Sequence, residues 1–158
     1  MRRSSQPVEI LLGFGAGIIT AFFLQLPLIW FLHLIHLTPE HAYSTASTLP
    51  LGVESIWSRV FWGGVFGLLL ASFGTRYEFG LRYLAATSLF IVAVRTFAEW
   101  IVQPLFARAG SIGTIGSLLT SLFVNAVWAP AAGALVIGLS LIVGTWASKA
   151  PSDLMRHE

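Results

Sequence analysis

The sequence predicts an all-α integral membrane protein, a single domain over residues 1–158 built as an up-down-up-down bundle of four transmembrane helices. Three observations predict it: four separated apolar stretches long enough to cross a bilayer, few charged residues, and short turn-rich connections. Charged side chains make up 10% of the 158 residues and hydrophobic ones 56%, with a mean hydropathy of +0.79. A soluble domain carries roughly 25% charge, and a soluble chain this apolar would expose patches that drive aggregation. A bilayer removes that penalty.

A spanning helix needs about 20 mostly apolar residues. Past Glu9 at its edge, the first candidate, 8–37, is interrupted chiefly by Gln25, Pro27 and two histidines. It exceeds the minimum, so a tilt or a kink near Pro27 is expected. Its basic start resembles a signal peptide, but the apolar stretch outruns the roughly 7–15 residues of such a segment, so it is expected to remain as a span. The others are 57–73, 81–102 (the least apolar) and 115–146, with Pro130 near the middle of the last. Between them lie 38–56, with Pro39, Pro50 and Gly52, then the shorter connections 74–80 and 103–113. Short connections force antiparallel neighbours. Pro27 and Pro130 in the outer spans hint at an inverted two-plus-two symmetry.

Orientation follows from arginine and lysine. Arg2 and Arg3 precede the first span, Arg76 and Arg82 flank the second connection, and Lys149 and Arg156 follow the last span. The opposite side holds Arg108 and, at the membrane edge, Arg59. Both termini are therefore expected in the cytoplasm of a bacterial inner membrane, with Glu40, His41 and Glu54 facing the other compartment. Trp57, Trp62, Trp100 and Trp146 fall near span ends, where amphipathic rings favour headgroups. Trp30 and Trp128 sit deeper and are expected to pack between helices.

Gly13 and Gly17, and Gly63 and Gly67, are pairs four residues apart; Ala129 with Gly133 and Ala134 with Gly138 repeat that spacing. Such small-residue faces let helix backbones approach closely. A phosphate-binding loop would need a preceding strand and a helix start, and these glycines lie inside apolar runs. The faces predict helix packing, within the chain or with another membrane subunit or a second copy.

Four polar residues fall at membrane depth: Gln25, Arg95, Glu99 and Asn125. Arg95 and Glu99 share a helix face at i and i+4, and intramembrane ionisable groups face a bundle interior or a watery cavity. They form either a structural ion pair near the outer interface, which Trp100 beside Glu99 favours, or part of a relay. Gln25 beside Pro27 is placed to bond the carbonyl that proline frees, that of Phe23, or to reach another helix. Asn125 with Pro130, one turn after Thr120 and Ser121, is a comparable feature. His33 and His36, at i and i+3 with His41 nearby, are weak metal candidates. Haem is not expected, because no other span holds a histidine to face them. The chain has no cysteine, which excludes disulfides, thiolate metal sites and a cysteine nucleophile. No serine stands in a nucleophile-elbow context, Glu9 sits at the cytoplasmic edge, and no catalytic residue, cofactor or nucleic-acid contact is expected. Lipid contacts are.

The segment Phe61-Trp62-Gly63-Gly64-Val65-Phe66-Gly67, following an early glycine-rich span and a proline-containing loop, resembles small uncharacterised proteobacterial membrane proteins. That resemblance implies a bacterial inner membrane and no particular activity. Glycine faces and scarce catalytic groups point first to a non-catalytic accessory or structural subunit of a larger membrane complex. The alternative is a small, oligomeric transporter or channel using Gln25, Arg95, Glu99 and Asn125, and a haem- or metal-binding membrane protein is a distant third.

Overall fold

The computed structural model describes residues 6–48, 53–74, 81–102 and 114–149. The chain runs through α1 (Gln6–Thr20), a π-helical turn (Ala21–Gln25), α2 (Leu26–Leu34), the two-residue strands β1 (Ser47–Thr48) and β2 (Val53–Glu54), then α3 (Ser55–Gly74). It continues through α4 (Leu81–Phe97), a second π-helical turn (Ala98–Val102) and α5 (Ile115–Lys149). Four stretches are long and apolar enough to cross a membrane: Pro7–Leu34, Ser55–Phe73, Leu81–Val102 and Ile115–Val143. The protein is a multi-pass membrane protein with an all-α four-helix bundle. In an 18-residue apolar stretch of each span, between 22% and 39% is buried within the chain, and the rest is at least partly open to lipid or to a partner.

The first span stops earlier than its apolar run, which continues to Leu37. His36 adopts a left-handed backbone with φ of 60°. The Leu37 N–H returns to the Leu32 carbonyl and the His36 N–H to that of His33. This paired closure caps a helix however apolar its sequence. Beyond it, β1 and β2 pair antiparallel, Ser47 with Glu54 and Thr48 with Val53, and bring the chain back into α3. The connections 75–80 and 103–113 lie outside the described residues, as do Arg2, Arg3, Arg76, Arg108 and Arg156.

The expected disturbance at Pro27 is a widened turn. Proline has no N–H to give and its ring crowds the carbonyl four residues back. Upstream of it, the Leu26 N–H bonds to the Ala21 carbonyl, five residues away. The second widened turn ends at Val102, and in the sequence Pro104 follows by two residues, as Pro27 follows Gln25. Pro130, by contrast, sits inside an uninterrupted α5.

Each helix packs on its sequence neighbours, α1 with α3 and α4 with α5, and α1 also meets α5. One end of the bundle gathers Glu9, Leu70 and Tyr83, whose hydroxyl donates to the Leu70 carbonyl at 2.7 Å. The loop end gathers α2, the start of α3, the second widened turn and the start of α5. The first and third spans therefore run parallel. Two spans per half give two halves of the same orientation, which replaces the inverted symmetry suggested by the prolines.

The tightest contact is between α1 and α3. A Cβ on Gly17 would run into the Gly63 carbonyl, and one on Gly67 into the Gly13 carbonyl. Both glycine pairs are thus used inside the chain. In lipid there is no hydrophobic drive for helices to associate, so such backbone-to-backbone packing must hold them. Ala129 is fully buried and a Cβ on Gly133 would press on Leu84, whereas Ala134 is exposed and nothing lies within 4 Å of a Cβ on Gly138. Phe66, Leu70, Tyr83, Ile91, Trp128, Ala129 and Ala132 form the main apolar core. Trp128 is buried as expected, but Trp30 is 50% exposed. The side chain of Trp146 lies outside those described.

Gly17→Leu is expected to lower stability by about 1–3 kcal/mol, the usual range for overpacking, in thermal or denaturant unfolding in mild detergent. Gly138→Ala should leave stability unchanged or raise it by up to about 1 kcal/mol, through helix propensity alone.

Candidate functional site

The four intramembrane polar residues, drawn from three spans, meet near the loop end. The guanidinium of Arg95, 2% exposed, donates through Nη2 to Gln25 Oε1 at 2.8 Å and through Nε to Glu99 Oε1 at 3.0 Å. The second carboxylate oxygen of Glu99 accepts from Asn125 Nδ2 at 3.1 Å. The same amide nitrogen lies 3.2 Å from Thr96 Oγ1. Gln25 and Arg95 belong to the first and third spans, which face each other diagonally, so this bond crosses the centre of the bundle. Only a long side chain could make it.

Both widened turns belong to this site. Gln25 closes the first and Glu99 lies in the second. Adding a residue to a turn rotates every later side chain relative to earlier ones, and such turns recur at functional sites. Arg95 and Glu99 remain paired across the start of the second turn. Glu99 is thereby the shared partner of its own span and of α5.

The faces of the guanidinium are covered by aromatic rings. Its central carbon lies 4.4 Å from the Trp128 ring centroid and 5.4 Å from that of Phe66. Ring faces carry negative quadrupole density and attract a desolvated cation. Several buried polar atoms have no hydrogen-bond partner, among them Arg95 Nη1, Trp128 Nε1 and Asn125 Oδ1. Buried polar groups without partners are uncommon and expensive.

A recess opens onto this cluster from the loop end. It is lined by Gln25, Ile29, Glu40, Arg59, Glu99, Thr120, Ser121 and Val124, and its enclosed part holds about one water-sized molecule. Arg95 stands one hydrogen bond behind its wall, screened by Gln25 and Glu99. The Glu99 side chain is 28% exposed, against 2% for Arg95, so the acid is the accessible half of the pair. At the mouth, Arg59 Nη2 bonds Glu40 Oε2 at 2.8 Å. With side-chain exposures of 26% and 43%, that pair stabilises little and its ends are free to separate.

The histidines are arranged otherwise than their spacing suggests. His36 is the exposed capping residue, while His33 packs against His41 with ring centroids 4.0 Å apart and the planes tilted by 51°, and its Nδ1 lies 3.1 Å from the Thr38 carbonyl. Among the described residues no group of three or more His, Cys, Asp or Glu is placed to hold a metal. Glu9 stands near the start of the first span. It is 4% exposed and acts electrostatically on Tyr83, so the end opposite the recess also carries a buried acid. Neither a protein-family model, nor a curated protein, nor a solved structure matches the chain.

Removing one partner of a buried pair leaves an uncompensated charge, which destabilises by about 3–5 kcal/mol, whereas replacing both by apolar groups is often neutral. Arg95→Met alone is therefore expected to lower unfolding stability in detergent, and Arg95→Met with Glu99→Met to recover most of the loss. A loss in the double variant equal to the sum of the two single losses, Arg95→Met and Glu99→Met, would show that the two side chains are not coupled.

Proposed function

We propose that the protein is a small transporter of the bacterial inner membrane, loading a small polar solute from the non-cytoplasmic side onto the site formed by Gln25, Arg95, Glu99 and Asn125. The observation that carries this reading is the meeting of these four residues beside a small recess, two of whose lining residues, Gln25 and Glu99, belong to the cluster. Beyond the site, Phe66, Leu70, Ile91, Trp128, Ala129 and Ala132 fill the bundle with apolar side chains. That arrangement suits a carrier held in an outward-facing state rather than an open pore. Glu9 and Tyr83 offer a polar exit at the other end. Polar groups gathered at depth beside helix irregularities are how membrane carriers hold a solute, and ionisable residues in a span are expensive enough to need a reason.

An accessory role in a larger complex is the second reading, favoured by one observation. Ala134 and Gly138 present a small-residue face outward on α5, which a neighbouring helix could cover. The glycine pairs of the first two spans lend this reading no support, since they are already occupied.

Absence of cysteine makes single-cysteine labelling clean. With the termini inside, Ser121→Cys should react in intact cells with a charged, impermeant thiol reagent, and Ala132→Cys should not. Reaction of Ser121→Cys only after permeabilisation would reverse the orientation. Transport itself is tested in proteoliposomes by osmotic shock with water, glycerol, urea, ammonium chloride and sodium acetate. At least one solute should move faster than in protein-free vesicles, and Glu99→Gln should return it to that baseline. If none moves, and gentle purification yields a partner at fixed stoichiometry, the accessory role takes its place.

A further inference from the structure

We infer that the solute of this site is a small uncharged primary amide, urea or a short carboxamide, held with its amino group on Glu99. The inference names the substrate class for the transport reading above and rests on that reading.

Charge narrows the choice first. The charged residues lining the recess are Glu40, Arg59 and Glu99, and each already has a counter-charge within the chain. Arg59 bonds Glu40 at 2.8 Å, and Arg95, behind the wall, bonds Glu99 at 3.0 Å. An ion entering the recess would bring an unpaired charge to the edge of an apolar bundle, which is expensive. An uncharged solute brings none.

Hydrogen bonding then selects the kind of uncharged solute. An ionised carboxylate accepts at about four lone-pair positions and donates nothing. On Glu99, Arg95 Nε takes a position on Oε1 and Asn125 Nδ2 one on Oε2, which leaves about one on each oxygen. The side chain is 28% exposed and lines the recess, so a donor entering there can reach it. A solute with N–H groups gains charge-assisted bonds. One that only accepts gains nothing from Glu99.

Size sets the rest. The enclosed part of the recess holds about one water-sized molecule, which suits an amino group and is too small for a whole amide. The carbonyl then stays toward the mouth, where Arg59 stands. A guanidinium has five N–H donors, and this one gives to Glu40 Oε2 at 2.8 Å and to Ser55 Oγ at 3.4 Å. Others are left for a carbonyl oxygen. The hydroxyls of Thr120 and Ser121 also line the recess and can give or accept, while Ile29 and Val124 supply apolar wall. An acceptor beside the buried cluster and a donor at the mouth are the complement of a primary amide.

Saturation-transfer difference NMR on the purified protein in detergent, read above protein-free micelles, tests this with molecules of nearly one skeleton. Acetamide should receive saturation at its methyl group, and urea should compete it away. Acetate is an anion without N–H, ethylammonium a cation with N–H, and N,N-dimethylacetamide is neutral without N–H; at equal concentration none of them should receive it. Glu99→Gln should weaken acetamide binding about tenfold, by exchanging a charged acceptor for a neutral one. Ser121→Leu fills the recess without touching a charge and should abolish the signal, a check that stands even where Glu99→Gln fails to fold. Either ion or the dimethyl amide binding on a par with acetamide, no acetamide binding at all, or binding unchanged in Ser121→Leu would each overturn the inference. Flux of another solute into proteoliposomes without acetamide binding leaves transport standing and removes the amide. Acetamide binding without flux does the reverse.

Discussion

A guanidinium inside an apolar bundle has to be given acceptors for its N–H groups and a counter-charge, and much of this architecture answers that requirement for Arg95. Gln25 reaches it from the opposite corner of the bundle, Glu99 from one turn along its own span, and two aromatic rings cover its faces. Water in the hydrocarbon layer cannot substitute for any of these. Each partner in turn constrains a helix. Gln25 fixes the depth of the first span, Asn125 ties α5 to Glu99, and Trp128 sets the rotation of α5 beneath the cation. The loop end of the bundle is held by a cluster of directional polar contacts, where the rest relies mainly on packing, with the Tyr83–Leu70 hydrogen bond at the opposite end.

That division follows the chain. In the first two spans, glycines bring the backbones close enough to exclude any intervening side chain. Such a contact is geometrically strict and leaves little freedom to slide. The third and fourth spans meet through larger residues, among them Trp128 and Ile91, and carry Arg95, Glu99, Asn125, Thr120 and Ser121. One half supplies a rigid wall and the other supplies most of the chemistry, with Gln25 as the contribution of the wall.

The spans were legible because bilayer thickness sets helix length and hydropathy reports it directly. The third was placed at its observed bounds, and the first overran by three residues because a left-handed cap at His36 leaves no trace in hydropathy. Gln25, Arg95, Glu99 and Asn125 stood out as polar residues in apolar runs, but their convergence did not. Sequence separation hides a diagonal contact between the first and third spans. The widened turns that aim Gln25 and Glu99 had a partial signal in Pro27 and Pro104. The burial of Glu9 was hidden for a related reason: distance from a span's end gives depth, not the face on which the residue lies. The recess, made by a loop folding back through Glu40 onto Arg59, depends on contacts that no local pattern encodes.

Stability does not explain the Arg95–Glu99 pair. A buried ion pair gains little over well-packed apolar residues of the same size, because desolvation consumes most of the attraction. A purely structural bundle of this size could fill the same space with leucine and phenylalanine, as it does a turn further in. The pair does possess a property that an apolar core lacks. It places a carboxylate at the wall of the recess, as the exposed half of the pair. The same carboxylate accepts the bond that joins the third span to α5, from Asn125 Nδ2 to Glu99 Oε2. Whatever engages Glu99 from the recess therefore also bears on how two spans are fastened together.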